Sequence, residues 1–207
     1  MRSAVTLGMA LCLLPLDAAA GAQASVGAQV GYSRSDLGGS GAAQLRSRQG
    51  ALTGVFLTAR LGPALSIRPE LLFAQKGGRT LATLQDGSTA TFDIELAYFE
   101  LPVLARAALP RGRFRPVLFA GPAPALQIGC DLQLITAGGP LRATCSEAQF
   151  TIFSDWDLGL VAGGGIEVNW AQAALALEAR YTAGVRSIVD GGEVRNRAFG
   201  LLLALTF

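Results

Sequence analysis

Large apolar and small or polar side chains alternate with a period of two along most of the chain after residue 24. In the last segment, one face carries the large apolar residues Phe199, Leu201, Leu203, Leu205 and Phe207. The other face is mainly Ala, Gly and Thr. This period predicts β-strands rather than helices. The same pattern recurs in eight segments, at residues 25–33, 51–61, 65–76, 94–109, 114–128, 153–168, 174–185 and 198–207.

The connections between these segments alternate in length. Short turns are predicted at 62–64, 110–113 and 169–173, and long polar loops at 34–50, 77–93, 129–152 and 186–197. Short turns at one end and long loops at the other are typical of barrels in the bacterial outer membrane, where the short turns face the periplasm. The pattern therefore predicts an all-β fold, an eight-stranded antiparallel transmembrane β-barrel.

Alternation alone does not say which face points inward, because a lipocalin-like soluble barrel also has eight strands but encloses its apolar face. The small residues favour the membrane barrel. Gly159, Gly163 and Gly165 share a face with charged residues, and bare glycine weakens a solvent-facing strand for no gain. A narrow lumen has room for such residues, so the leucine-rich face is expected to meet lipid.

Five prolines within the predicted strands count against a regular ladder, since proline cannot donate a backbone hydrogen bond. We expect local bulges near them and regard the segment 114–128 as the least regular strand. They are Pro69, Pro102, Pro116, Pro122 and Pro124.

The composition agrees with a membrane protein that spans with strands. Of the 207 residues, 51% are hydrophobic and 15% are charged, against roughly 25% charged in ordinary soluble domains. Beyond the first two dozen residues there is no apolar run of about 18, the length needed for a transmembrane helix.

The first 24 residues have the features of a secretory signal peptide. Arg2 provides the positive start, 4–16 is a short apolar core, and Ala22-Gln23-Ala24 fits the cleavage pattern. Cys12 would be lost with this leader. The predicted division is a signal peptide at 1–24 and a barrel domain at 25–207, located in the outer membrane.

Two cysteines then remain, Cys130 and Cys145, both in the longest predicted loop. An exported protein meets an oxidising compartment, so they are expected to form a disulfide. Two free thiols that bind a metal are the alternative, but the chain contains no His to complete a common zinc site. No cofactor is expected. The net charge of +2 gives no electrostatic basis for nucleic-acid binding.

Projection of the strands places eight charged side chains inside the barrel. They are interpreted as an ion-pair network that fills the lumen and fixes strand register, or alternatively as a polar binding site or proton path. The residues are Arg68, Glu70, Glu100, Arg106, Asp157, Glu167, Glu178 and Arg180.

Four short stretches of the chain carry a resemblance to a known family. They are Ile67–Gly77 (IRPELLFAQKG), Tyr98–Leu104 (YFELPVL), Pro116–Pro122 (PVLFAGP) and Leu177–Tyr181 (LEARY). They are similar, in order, to the "L-x-P-E-L-x-Y-x-Q-K-G", "Y-L-E-I-P-L-L", "P-Y-x-F-A-G-P" and "L-E-x-R-Y" stretches of the PorT-like barrels of the outer membrane. The resemblance implies a small OmpA-type barrel and places Pro69 and Pro102 where the family has prolines. It implies little about activity, although PorT itself is linked to a secretion apparatus.

The expected function is that of a non-enzymatic integral barrel with a structural or recognition role through its long loops. The alternatives are a narrow channel, an accessory barrel for secretion and, less favoured, a soluble lipocalin-like carrier. A lipid-modifying enzyme is disfavoured by the absence of His. The expected partners are outer-membrane lipids, the outer-membrane assembly machinery, which would read Phe207, Leu205 and Leu203 as a C-terminal signal, and an unidentified protein on either side of the membrane.

Overall fold

A computed structural model describes residues 24–38, 46–83, 89–109, 112–136, 139–145, 147, 154–170, 173–188 and 194–207. Apart from Ala24, the predicted leader lies outside these residues. The strands are Ala24–Gly38 (β1), Arg46–Arg60 (β2), Leu65–Thr83 (β3), Thr89–Glu100 (β4), Val103–Ala108 (β5), Phe114–Thr136 (β6), Gly139–Thr144 (β7), Trp156–Trp170 (β8), Ala173–Gly184 (β9) and Arg195–Thr206 (β10). The described part of the chain contains no helix with the length and hydropathy to cross a bilayer.

The sheet closes on itself because β1 pairs with both β2 and β10, all antiparallel. β4 and β5 are two halves of one barrel strand, since both pair with β3 in a single register, Leu72 opposite Glu100 and Pro69 opposite Val103. β7 pairs only with the outer part of β6 and stands outside the ring. The ring therefore has eight strands, which confirms the predicted fold class.

Proline explains the interruption between β4 and β5. The carbonyl of Pro102 accepts a hydrogen bond of 2.8 Å from the backbone N–H of Glu70, but Pro102 has no N–H to donate in return. The ladder is therefore broken at that point, while the strand continues in register on both sides.

The prediction of bulges at the prolines of β6 is wrong. Pro116, Pro122 and Pro124 pair with β8 in an unbroken register, and β6 is the longest described strand, at 23 residues. The carbonyls of Pro124 and Pro116 accept from Leu101 and Leu109, at the two ends of β5 where the ladder already stops. The N–H groups that Pro116 and Pro124 lack would point to places where the ladder has already ended, so their absence costs little stability. The register shift within β6 lies elsewhere, opposite Ala97 and Tyr98.

The predicted long loops are shorter than expected, because strands continue into them. β1 extends to Gly38, β3 to Thr83 and β6 to Thr136, although loops were predicted from 34, 77 and 129. About 9–11 residues are enough for a tilted strand to cross a membrane. The longer strands therefore project beyond the bilayer at this end, called the long-loop end below.

The apolar face lies on the outside of the ring. Large apolar side chains on every barrel strand are exposed, among them Val30, Val55, Leu71, Phe99, Val103, Leu118, Leu160, Leu177 and Leu203. Phe114, Trp170 and Phe207 are exposed at the end with the short turns, as expected of an aromatic girdle. A soluble carrier would place these side chains inside, so the lipocalin-like alternative is wrong.

Glycine on the inner face makes room for large lumen side chains. A Cβ atom on Gly163 would lie 2.6 Å from the Phe119 ring and 2.4 Å from the carbonyl oxygen of Ala179. The glycine-rich tract of β8 is therefore a steric requirement of the packed interior.

Candidate functional site

The centre of the lumen holds a compact group of charged side chains, called the central cluster, made of Gln29, Arg68, Glu70, Glu178 and Arg180. The Arg68 guanidinium donates to both oxygens of Glu178 at 2.8 and 2.6 Å, and its Nε donates to Glu70 at 2.8 Å. Arg180 donates to Glu70 at 2.7 Å. All five side chains are buried. The two arginines and two glutamates balance in charge, which is what a low-dielectric interior demands.

Aromatic rings complete the surroundings of these arginines. The Arg68 guanidinium lies 4.4 Å from the centre of the Phe56 ring, and Arg180 lies 5.5 Å from that of Phe119. Such cation–π contacts hold the planar guanidinium groups in place. Phe56, Phe119 and Gln29 are not among the lumen residues predicted from the sequence, although all three have inward strand phase.

Toward the short-turn end, Arg106, Arg115 and Glu167 form a second group. Arg106 and Arg115 both contact the Glu167 carboxylate, at 2.6 and 3.3 Å. This group lies beside an open cavity of about 770 Å³ at the mouth of the barrel, called the vestibule. Arg68 of the central cluster also lines the vestibule, so the two groups are continuous.

Toward the long-loop end, the contacts differ from residue to residue. Lys76 pairs with Glu100 at 2.5 Å. Asp157, expected in an ion-pair network, instead accepts a hydrogen bond of 2.8 Å from Asn196. Among the described residues it has no cationic partner. Asn196 is amide-bearing and neutral, so its role was not visible in a pattern of charges.

A further ion-pair group was missed because it lies where loops were predicted. Arg48 contacts Asp93 at 3.1 Å and Glu95 at 2.6 Å, and Arg79 contacts Asp93 at 2.9 Å. Extension of β2, β3 and β4 beyond the predicted boundaries turns Arg48 and Asp93 toward the interior, where both are buried.

Buried apolar side chains close the long-loop end of the lumen, and we call them the apolar cap. Its members are Leu37, Ile94, Leu96, Tyr98, Ala125, Leu132, Cys145 and Ile188. Between this cap and the central cluster, one described cavity beside Lys76 and Glu100 has only about 10 Å³, close to the space of a single water molecule. Within the described residues, the central cluster and this cap thus lie across the lumen between the vestibule and the long-loop end.

Cys130 and Cys145 form a disulfide, as predicted, with their Cα atoms 5.4 Å apart. They do not lie in an irregular loop, however. Cys130 belongs to β6 and Cys145 follows β7, so the bond ties the base of a two-stranded hairpin, here called the ribbon (residues 130–145). At its end, the backbone N–H and the hydroxyl of Thr144 donate to Glu147 at 2.9 and 3.0 Å and hold the pKa of that carboxyl below its usual value.

This arrangement can support ion pairing but offers little for catalysis. Among the described residues, no group of three His, Cys, Asp or Glu side chains could hold a metal ion. The interior carboxylates are engaged by arginine, lysine or asparagine rather than by a nucleophile and base.

A closed ring of eight strands with an apolar exterior, a charged interior and extensions at one end defines an integral outer-membrane β-barrel protein. The sequence profile of the family described as "Outer membrane protein beta-barrel domain" matches residues 19–190. The chain belongs to this family and is located in the bacterial outer membrane. The short-turn end is thus the periplasmic end.

Solved structures show the same fold at low sequence identity. Neisserial surface protein A is 14% identical, with a TM-score of 0.51, and the match covers 89% of this chain and 97% of that protein. OprG from Pseudomonas aeruginosa is 13% identical, with a TM-score of 0.52 and coverages of 89% and 95%. No curated protein sequence matches this chain.

Proposed function

We propose that this protein is a non-enzymatic, non-conducting barrel that presents a disulfide-tied ribbon for recognition at the cell surface. The observation that carries the proposal is that buried side chains of the central cluster and of the apolar cap fill the described lumen. A barrel filled in this way works through its surfaces, and the ribbon carries a strand, β7, that lies outside the ring.

Single-channel recording in planar bilayers tests the absence of conduction. We expect no stable openings, because ions would have to cross a paired charge cluster and then an apolar layer. Reproducible unitary conductance from purified, heat-modifiable protein would overturn this part of the proposal and favour the narrow channel.

The exposure of the ribbon can be tested by lysine labelling. Lys76 is the only lysine of the chain and is buried against Glu100. An R142K variant adds a reactive amine on the ribbon, and R113K adds one on a periplasmic turn. A membrane-impermeant amine reagent should label R142K on intact cells and R113K only after permeabilisation. Labelling in the reverse order would contradict the proposed orientation.

A PorT-like role in secretion is the second candidate. It is supported by where the similar stretches lie, since they supply Arg68, Glu70, Glu100, Glu178 and Arg180 to the lumen. Deletion of the gene should then reduce the amount of secreted protein in the medium, with restoration by a plasmid copy. An unchanged set of secreted proteins would count against this role.

A further inference from the structure

We propose that the periplasmic vestibule is a binding site for a small soluble oxyanion, a molecule with a carboxylate or phosphate group. The vestibule opens at the mouth of the barrel and has a volume of about 770 Å³, which is more than enough for such a molecule. Its wall includes the side chains of Arg68, Arg106, Arg115 and Glu167, together with the hydroxyl-bearing residues Ser25, Thr58, Ser66 and Thr206.

The ion pairs in the wall of the vestibule leave positive charge without a matching carboxylate. The central cluster is neutral by itself, so Arg68 is already balanced by Glu70 and Glu178. Arg106 and Arg115 then share one carboxylate, that of Glu167. Arg106 also lies 3.8 Å from Glu178, but Arg68 already binds both oxygens of that residue. Arg106 and Arg115 together therefore carry one positive charge more than Glu167 balances, and Arg60 lines the same wall.

Arg106 also has a hydrogen-bond donor that no described acceptor uses. This residue is 93% buried, with a relative exposure of 7%. Its Nη2 atom contacts Glu167, whereas its Nε atom is buried and has no hydrogen-bond partner within the described residues. The Nε atom of Arg115 is in the same state. Buried guanidinium donors without acceptors are costly, and a small movement of either side chain toward an anion would satisfy them.

The chemistry of the wall selects an oxyanion. A guanidinium group is a planar fork that matches the two oxygens of a carboxylate or phosphate, and a spherical halide fits it less well. The excess positive charge disfavours cations. Because the site lies inside the ring of strands and lipid lies outside it, we assign the site to a soluble molecule rather than to a phospholipid headgroup.

The test uses the complete barrel in a neutral detergent, with inorganic phosphate as the probe. Binding is measured by calorimetry at constant ionic strength, with chloride as the replaced anion. We expect saturable phosphate binding that weakens about tenfold in an R115Q variant, because a charge-assisted hydrogen bond is lost. The matched control is R113Q, which removes the same charge from the same end of the molecule but at a residue that does not line the vestibule. It should change the affinity by less than about twofold.

A second variant separates a binding site from a structural ion pair. E167Q removes the carboxylate that both arginines share, so phosphate affinity should rise, provided heat-modifiable migration shows a folded barrel. R115K keeps the positive charge but lacks the planar guanidinium group, so it should bind phosphate more weakly than the natural protein. This variant tests the proposal if E167Q does not fold. Absence of saturable binding, or equal weakening in R115Q and R113Q, would overturn the proposal. Loss of phosphate binding in micelles doped with phosphatidylglycerol would overturn the assignment to a soluble molecule.

Discussion

At the scale of single residues, the stability of the barrel interior depends on whether each buried charge has an oppositely charged partner. Each buried arginine of the central cluster contacts a glutamate, and each glutamate contacts an arginine. A buried charge without a partner costs far more than the pair contributes, so removal of one member should be felt strongly. Exposed charges beyond the strands carry no such penalty.

Glu100→Ala should destabilise the barrel by roughly 3–5 kcal/mol, since it leaves the Lys76 ammonium buried without its carboxylate. The control is Asp155→Ala, which removes an exposed carboxylate just before β8 and should change stability by less than about 0.5 kcal/mol. Urea unfolding in detergent measures both variants. Equal midpoints would show that Glu100 is not a buried partner.

Gly163→Ala should also destabilise the barrel, by about 1–3 kcal/mol, because the new methyl group would meet a backbone oxygen and the Phe119 ring. Gly62→Ala is the matched control, since a Cβ atom there would have nothing within 4 Å. The same unfolding measurement applies. A tolerated Gly163 substitution would mean that the lumen can repack around Phe119.

At the scale of elements, β6 shows how one strand serves two purposes. Its first half lies in the ring between β5 and β8, and its outer part, residues 131–135, lies between β4 and β7. Closure of the ring gives the first half of β6 backbone hydrogen-bond partners on both sides. β7, by contrast, has a single partner strand and a disulfide at its end, so the order of β7 depends on that bond more than the order of the ring does.

Replacing Cys130 and Cys145 together with Ser should therefore have a local effect. On the chain-entropy estimate, closing a loop of 15 residues contributes about 3 kcal/mol. The variant should still insert and show heat-modifiable migration, but protease should cut the ribbon faster. Two free thiols in protein taken from intact outer membrane, or unchanged proteolysis of the variant, would refute this expectation.

The number of barrel strands could be predicted from the sequence, but their full lengths could not. Alternation located all eight barrel strands, because one face meets lipid and the other a crowded lumen. It predicted the outer ends of β1, β3 and β6 too early, since Arg34, Gly77 and Gly129 interrupt the apolar pattern there. Beyond the bilayer the outer face of a strand no longer meets lipid. Backbone hydrogen bonds to the neighbouring strand can therefore continue where the alternation of apolar side chains has ended.

At the scale of the whole molecule, assembly requires every strand to find two neighbours in a hydrocarbon environment. The last strand, β10, closes the ring against β1, and the backbone N–H of Phe207 donates to Val26 at 2.8 Å. The side chain of Phe207 is exposed on the outer face, in line with Leu203 and Leu205.

Phe207→Ala should reduce insertion into the outer membrane and leave protease-sensitive protein in the periplasm, if this residue is the assembly signal. Phe114→Ala is the matched control, because Phe114 is equally exposed at the same end, with 65% against 63% of its surface accessible. Cell fractionation with heat-modifiable migration measures both. If the two variants insert equally well, the phenylalanine serves only as a membrane anchor.

The sequence by itself determined the strand number, the outward apolar face, the inward phase of the charged residues and the pairing of the cysteines. Each follows from a period of two, from composition or from the oxidising compartment, all of which are local properties. Only the tertiary structure decided which charges meet. Arg68 and Glu178 are 110 positions apart, and Arg106 and Glu167 are 61 apart. Strand register and tilt bring them together across the lumen, and with them the closed centre and the positively charged vestibule, because distances across a barrel depend on how the ring closes.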